Sequence, residues 1–172
     1  MEDIKKLEQL LLSCAKDISA LGELYGIMYR DVFACSYAVL QNRELTLDAV
    51  NETFVRIYDV SSKYKGGYPR AFILKVCRNV SMEIMRGASK IISDEDICET
   101  AAPQDDTFEA REGMKQILNH LSKGEREVIV LHYYNDLRLI DISRVLGIPL
   151  GTVKWRHSSA LKRCAELCKG EY

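Results

Sequence analysis

Apolar residues recur at intervals of three and four along most of the chain, which is the spacing of amphipathic α-helices. The first series runs from Ile4 to Leu21, and the second from Gly22 to about Leu40. A third extends from Leu47 to about Val60, and a fourth from Pro69 to Arg86, just before Gly87. No segment alternates with the period of two that is typical of strands. The pattern predicts an all-α fold.

The second half of the chain repeats this pattern on a smaller scale. The SKGE sequence at 122–125 matches the S-x-x-E capping box and predicts a helix through about Tyr134. A short helix is expected at Leu137–Leu146 and a final one from Leu150 to about Lys169, separated by a tight turn at 147–149.

Two stretches lack helical periodicity. Residues 61–68 contain two adjacent glycines and are predicted to form a loop. Residues 88–112 contain Pro103 and many acidic residues, which predicts an acidic linker. We therefore expect two small helical domains, at 1–87 and 113–172.

Charge changes sign along the chain although the whole carries only −1. The net charge is −4 over residues 1–60, +6 over 61–90, −7 over 91–112 and +4 over 113–172. Local sign matters more than the total for a surface that binds a polyanion. The two basic segments are therefore candidate nucleic-acid surfaces.

The six cysteines and three histidines form no metal-ligand or catalytic pattern. We interpret the cysteines as reduced core residues rather than disulfides, and we expect no bound metal and no cofactor. No apolar run approaches the roughly 20 residues of a membrane span, and no signal peptide opens the chain. These features predict a cytoplasmic protein without membrane insertion.

The stretch IDISRVLGIPLGTVKWR, at 140–156, has the form of a helix-turn-helix: a short helix, a turn with glycine and a second helix with a cationic polar face. In such a motif the N-terminal half of the second helix enters the major groove. Candidates to reach base edges are Thr152, Arg156 and Ser159. Candidates to neutralise phosphates are Lys154, Lys162 and Arg163.

Three segments together resemble the sigma-70 family. The run LSKGEREVIVLHYYNDLRLIDISRVLGIPLGTVKWR (121–156) resembles sigma region 4, which shares features with other helix-turn-helix regulators. The segments DAVNETFVRIY (48–58) and YKGGYPRAFILKVCRNVSMEIMRG (64–87) resemble sigma regions 2.2 and 2.3–2.4. Their joint order and spacing resemble the small two-domain group, the extracytoplasmic function sigma factors.

The resemblance implies a surface for core RNA polymerase on the third predicted helix. The positions that match are Asp48, Asn51, Glu52 and Phe54. The first three form a polar patch on their own pattern, whereas Phe54 is expected to lie in the core behind them. The alternative for the acidic residues is an ordinary solvated helix face.

The resemblance also places recognition and opening of the minus-10 promoter element near residues 63–86. Cationic residues share one face of the fourth helix, and the loop before it mixes tyrosines with cations, which suits single-stranded DNA. Tyr64 and Tyr68 have an alternative role in packing against that helix. The candidates are Lys63, Tyr64, Lys65, Tyr68, Arg70, Phe72, Lys75, Arg78, Asn79 and Arg86.

Five positions depart from the family pattern: Asn51, Phe72 and Glu83 preserve the chemistry or bulk of the usual residue, whereas Arg138 and Trp155 do not. Arg138 stands where a serine or threonine usually caps the helix, and it cannot accept a hydrogen bond. Trp155 stands on the polar face of the last helix, where the family usually has a small residue. It is a candidate for minus-35 contact, for binding an inhibitory protein, or for packing on the lysine stems of its own domain.

The resulting expectation is an alternative sigma factor that performs no chemistry itself. Its partners would be core RNA polymerase, promoter DNA and, by resemblance alone, an anti-sigma factor. One alternative is a helix-turn-helix regulator that works without polymerase, for which the 48–58 and 64–87 patterns have no use. Another is a sigma-like decoy that binds an anti-sigma factor, which would be expected to lose the two basic faces. An enzyme is the class that these residues support least.

Overall fold

The computed structural model describes residues 2–91 and 117–169. These residues form helices and contain no strand, so the predicted all-α class is confirmed. Residues 117–120 are also helical. The helices are α1 (Glu2–Ser13), α2 (Ile18–Leu40), α3 (Arg43–Val60), α4 (Pro69–Ile91), α5 (Lys123–Ile129), α6 (Leu139–Leu146) and α7 (Leu150–Lys169).

The first predicted helix is interrupted, so its expected extent from Ile4 to Leu21 was wrong. Asp17 has extended backbone angles and accepts a hydrogen bond from the Ser19 amide at 2.9 Å, which caps the start of α2. The apolar spacing continues across this break because α1 and α2 both pack on the same core. Asn42 likewise caps α3 through the Leu45 amide at 3.0 Å, so that α3 starts four residues before the predicted Leu47.

Helix α4 does not end before Gly87 but continues to Ile91. Gly87 is exposed and open on its Cβ side, so it costs helix propensity without breaking the helix. Of the predicted linker at 88–112, only residues 88–91 are described, and they belong to α4; the rest lies outside the described residues.

The predicted capping box is confirmed at the start of α5. The Ser122 amide and hydroxyl both donate to Glu125 Oε2, at 2.9 and 2.7 Å. The helix then widens into one π-helical turn, Val130–Tyr134. Helix α6 follows, and Gly147 ends it at φ 67°, a left-handed conformation that favours glycine.

Arg138 occupies the cap position of α6 without a side-chain capping bond. Its guanidinium instead donates to Asp141, one turn later, at 2.8 Å. Asp141 is fully buried and also accepts from Arg144 at 3.1 Å. The carboxylate near the helix N-terminus therefore supplies the negative charge that the cap residue lacks.

One hydrophobic core runs through both described parts of the chain. Helix α2 lies at its centre, packed against α1, α3 and α4, and α5 contacts α2 while α6 contacts α4. Among the described residues, the cysteines at 14, 35, 77 and 164 are not in disulfides, and the first three are buried in this core. None of the helices described for 2–91 and 117–169 is long and apolar enough to cross a membrane.

Candidate functional site

A groove of about 560 Å³ opens between α3 and α4. Three of the four predicted polymerase-binding residues, Asp48, Asn51 and Glu52, line it and are exposed. Apolar side chains form its floor, including Val55, which is exposed, and Val80, which is buried. The groove therefore combines an accessible apolar strip with a carboxylate rim, as protein-binding surfaces commonly do.

A chain of ion pairs crosses this groove. Arg56 lies between Glu52 of its own helix, at 3.1 Å, and Glu83 of α4, at 3.3 Å. The hydrogen bond to Glu52 and the negative charge of Glu83 raise the pKa of Arg56, so Arg56 stays protonated. Asp48 has no such ion pair in the described residues, and its carboxylate faces solvent at the groove rim.

Phe54 lies behind the groove rather than in it, as its pattern predicts. Its side chain is 4% exposed and its ring is 4.6 Å from that of Tyr25 on α2. Phe54 thus fixes α3 against the core, and its contribution to a partner surface is to position Asn51 and Glu52.

The two tyrosines of the 61–68 segment have different environments. Tyr64 is buried; its hydroxyl donates to Glu8 at 3.1 Å and its ring packs on Phe72 at 5.2 Å. Burial, together with the Glu8 carboxylate, raises the pKa of Tyr64 to about 12. Tyr68 is exposed, with the Arg138 guanidinium 5.1 Å above its ring. Only Tyr68 presents an accessible face in this conformation.

Apart from the two tyrosines, the residues predicted to contact minus-10 DNA fall into two groups, half-buried and exposed. Arg78 Nε donates to Glu127 Oε1 at 2.8 Å, and Arg70 pairs with Asp31 at 3.3 Å while donating to the Asn135 carbonyl. Burial raises the pKa of Asp31 against the lowering effect of Arg70. Both arginines and Phe72 are half-buried. The remaining five candidates are exposed: Lys63, Lys65, Lys75, Asn79 and Arg86.

Helix α7 presents its predicted polar face outward. Val153 and Ala160, on the opposite side, are fully buried, which fixes the orientation of the helix. Lys154, Trp155 and Lys162 are exposed, and Thr152 is half-buried. Trp155 exposes 67% of its surface, so it does not fold over the lysine stems of its own helix.

The other three α7 candidates contact the first turn of α5. Ser159 Oγ donates to Glu125 Oε1 at 2.6 Å, and Arg163 Nε lies 3.3 Å from the same oxygen. Burial would raise the pKa of Glu125, but hydrogen bonds from Ser122 and Ser159 and the charge of Arg163 hold it below its ordinary value. Glu125 thus remains ionised while it joins the cap of α5 to α7.

The Arg156 guanidinium occupies the space beside the same turn that a side chain at residue 124 would fill. A Cβ atom built on Gly124 would lie 2.8 Å from the Arg156 guanidinium carbon. Since such an approach is impossible for a real Cβ, only glycine at 124 permits this placement of Arg156. Glu125 and Gly124 together define what we call the α5–α7 clamp.

Sequence reasoning missed Arg126 and Glu127, although both lie within the quoted region 4 pattern. Arg126 is buried and donates to the Ala38 carbonyl at the end of α2, at 3.1 Å. Glu127 is buried and neutralises Arg78. Charged residues on an otherwise apolar helix face were the available signal, because such residues are rarely buried without a partner.

No group of three potential metal ligands occurs within 2–91 and 117–169. His132, Tyr133 and His157 lie together, and the Tyr133 hydroxyl is 3.1 Å from His157 Nε2. These rings pack the π-helical turn against α7.

Comparisons of the whole sequence find relatives of one kind. A family model described as sigma-70, region 4, matches residues 111–164. The ECF RNA polymerase sigma factor SigW of Bacillus subtilis is 25% identical over 165 residues, covering 81% of this chain and 84% of SigW. SigM of the same organism is 24% identical and covers 88% of this chain and 94% of its own.

Solved structures share the fold over most of its length. RpoE, crystallised with the anti-sigma factor NepR from Bartonella quintana, has a TM-score of 0.75 and 23% identity, covering 86% of this chain and 96% of RpoE. CnrH, in complex with the cytosolic domain of CnrY, has a TM-score of 0.71 and 18% identity, covering 97% of this chain and 99% of CnrH. At these identities the likeness concerns the fold.

Proposed function

The chain belongs to the extracytoplasmic function group of the sigma-70 family, and we propose that it directs core RNA polymerase to promoters through the three surfaces described above. The observation that carries the proposal is their coexistence on one fold. An acid-rimmed groove lies between α3 and α4, exposed cations lie on α4 and in the segment before it, and a cationic helix-turn-helix lies at the other end of the chain. A regulator that works without polymerase has no use for the groove.

Core RNA polymerase is the partner that we assign to the groove. Its carboxylate rim, from Asp48 and Glu52, suits basic groups on a partner, and its apolar floor suits a packed helix. The Asn51 amide adds a hydrogen-bond donor and an acceptor, which can fix the position of a partner helix along the groove. Phe54 supports the surface from behind.

Minus-10 DNA is assigned to α4 and the segment before it. The exposed cations Lys63, Lys65, Lys75 and Arg86 are available to phosphates, and Asn79 and Tyr68 to bases. Arg70, Phe72 and Tyr64 are engaged within the chain, as is Arg78. Because Glu127 neutralises Arg78, we expect Arg78 to contribute less to DNA binding than the exposed cations.

Minus-35 DNA is assigned to the exposed face of α7. Lys154 and Lys162 are free to contact phosphates, and Thr152, Trp155 and Arg156 to reach bases. Ser159 and Arg163 act first through Glu125, which positions the helix. We propose two functional units, of which the first ends with α4 at Ile91 rather than at the predicted residue 87, and the second is 113–172, with an acidic segment between them.

The chain performs no bond chemistry in this proposal, because polymerase supplies it. We extend to this chain the partner class seen with RpoE, an anti-sigma factor, as its inhibitor. Such a protein would compete for surfaces that polymerase or DNA uses.

The test is co-sedimentation of the folded chain with bacterial core RNA polymerase. We expect saturable binding at one chain per core enzyme, and promoter-dependent transcription from the reconstituted holoenzyme. A folded chain that does not sediment with core enzyme would contradict the proposal and leave a polymerase-independent regulator or a decoy.

Replacing Gly124 by alanine should change minus-35 recognition without unfolding the protein. The new methyl group displaces the Arg156 guanidinium, which is the flexible end of its side chain. Helix propensity meanwhile favours alanine by up to about 1 kcal/mol. We expect roughly tenfold weaker discrimination at the base pair that Arg156 contacts, measured by holoenzyme binding to single-substitution promoters.

Gly87→Ala is the matched control, since Gly87 is helical, exposed and open on its Cβ side. It should show the same gain in unfolding free energy and an unchanged promoter preference. If the two variants show the same preferences among the single-substitution promoters, Arg156 does not take part in base recognition.

A further inference from the structure

We infer that Trp155 recognises a thymine of the minus-35 element through the 5-methyl group of that base. The inference rests on the proposed function and adds the chemical group that one side chain reads. Trp155 lies about 200° around α7 from buried Val153, so the indole points away from the protein. Among the described residues it has no hydrogen-bond or ring partner.

The α5–α7 clamp engages other recognition candidates on this face, whereas Trp155 makes no contact with it. Ser159 and Arg163 are bound to Glu125, and Arg156 lies against Gly124. Lys162 lies within about 20° of Trp155 around the helix, and Lys154 is one position away along the chain. Long lysine side chains act as point charges suited to phosphates, whereas an indole presents a rigid apolar surface.

The charge around Trp155 selects DNA over an apolar protein surface as its occupant. Lys154 and Lys162 are exposed on the same helix, and residues 113–172 carry a net charge of +4. In the major groove, the apolar group that base pairs present is the thymine methyl. An indole on the groove-facing side of a recognition helix therefore matches thymine rather than the other three bases.

Removing only the methyl group tests the inference directly. Holoenzyme first selects a preferred minus-35 duplex from random-sequence DNA, and each thymine of that duplex is then replaced singly by deoxyuridine. We expect one replacement to weaken wild-type binding by about three- to fivefold, the effect of losing one buried methyl contact. Trp155→Ala holoenzyme should bind the unmodified duplex more weakly by at least that factor and be indifferent to the replacement.

Lys154→Ala is the matched control, because it removes an exposed neighbour on the same turn. It should weaken binding to all duplexes alike and keep the deoxyuridine effect. Wild-type holoenzyme that tolerates every deoxyuridine overturns the inference while leaving the proposed function intact. Trp155→Ala holoenzyme with unchanged DNA binding also overturns it and makes Trp155 a protein contact; failure to form any holoenzyme contradicts the proposed function instead.

Discussion

Replacing Asp48 and Glu52 together by lysine should weaken binding to core RNA polymerase by at least about 100-fold. Both carboxylates lie on the rim of the groove between α3 and α4 and are exposed. Among the described residues, the only ion pair lost is the surface pair of Glu52 with Arg56, which should contribute less than about 1 kcal/mol to folding. Placing like charges against a complementary partner costs several kcal/mol, and each 1.4 kcal/mol is a factor of ten in affinity. Equilibrium binding to core enzyme at fixed ionic strength measures the effect.

The double variant Glu44→Lys, Asp59→Lys is the control for charge. Both residues are exposed acids on α3 that do not line the groove, and the change in net charge is identical. We expect it to bind within about threefold of wild type, the range of a peripheral charge. Equal losses in the two double variants would mean that binding follows overall charge and that the groove is not the polymerase surface.

Replacing Arg126 by alanine should lower the free energy of unfolding by about 3 kcal/mol. The guanidinium donates to the carbonyls of Ala38 and Leu118, each at 3.1 Å. Ala38 lies in the last turn of α2, where carbonyls lack helical partners, so Arg126 caps that helix across 88 positions of sequence. Hydrogen bonds to charged groups contribute about 1.5–3 kcal/mol each, and desolvation of the buried arginine offsets part of the two. Burial correspondingly lowers the pKa of Arg126.

Urea denaturation followed by circular dichroism measures the change, with Arg163→Ala as the matched control. Arg163 is about half exposed, and its ion pair with Glu125 should contribute less than about 1 kcal/mol. Arg126→Lys should recover part of the loss, because a lysine ammonium keeps the charge but not the forked geometry. If Arg126→Ala unfolds at the wild-type urea concentration, α2 does not depend on this cap.

The helices were predictable wherever one face packs on the core. The α7 pattern gave Val153 and Ala160 as buried and the lysines as exposed, and the structure agrees. The break between α1 and α2 was missed because apolar periodicity records which face is buried and not whether the backbone is continuous. Asp17 was the local signal, since aspartate is one of the preferred N-cap residues at a helix start.

The charged surfaces were less predictable than the helices that carry them. The sequence predicted that Arg78 and Arg70 would be cations available to DNA. In the structure, Arg78 pairs with Glu127, 49 residues away, and Arg70 pairs with Asp31. Periodicity along one helix cannot show which distant helix covers it. The SKGE motif correctly predicted that Glu125 takes part in a capping box. It could not predict that the second carboxylate oxygen of Glu125 accepts a hydrogen bond from Ser159 and pairs with Arg163, both on α7.

The α5–α7 clamp limits how this protein can be re-engineered. The placement of Arg156 and Ser159, two of the candidate DNA contacts on α7, depends on Gly124 and Glu125, which lie about 30 positions earlier in the chain. A chimera that receives only residues 150–163 from a relative would carry foreign side chains at 156, 159 and 163 against an unmatched first turn of α5. Transferring promoter specificity from a relative therefore requires residues 150–163 and the first turn of α5 to be exchanged together.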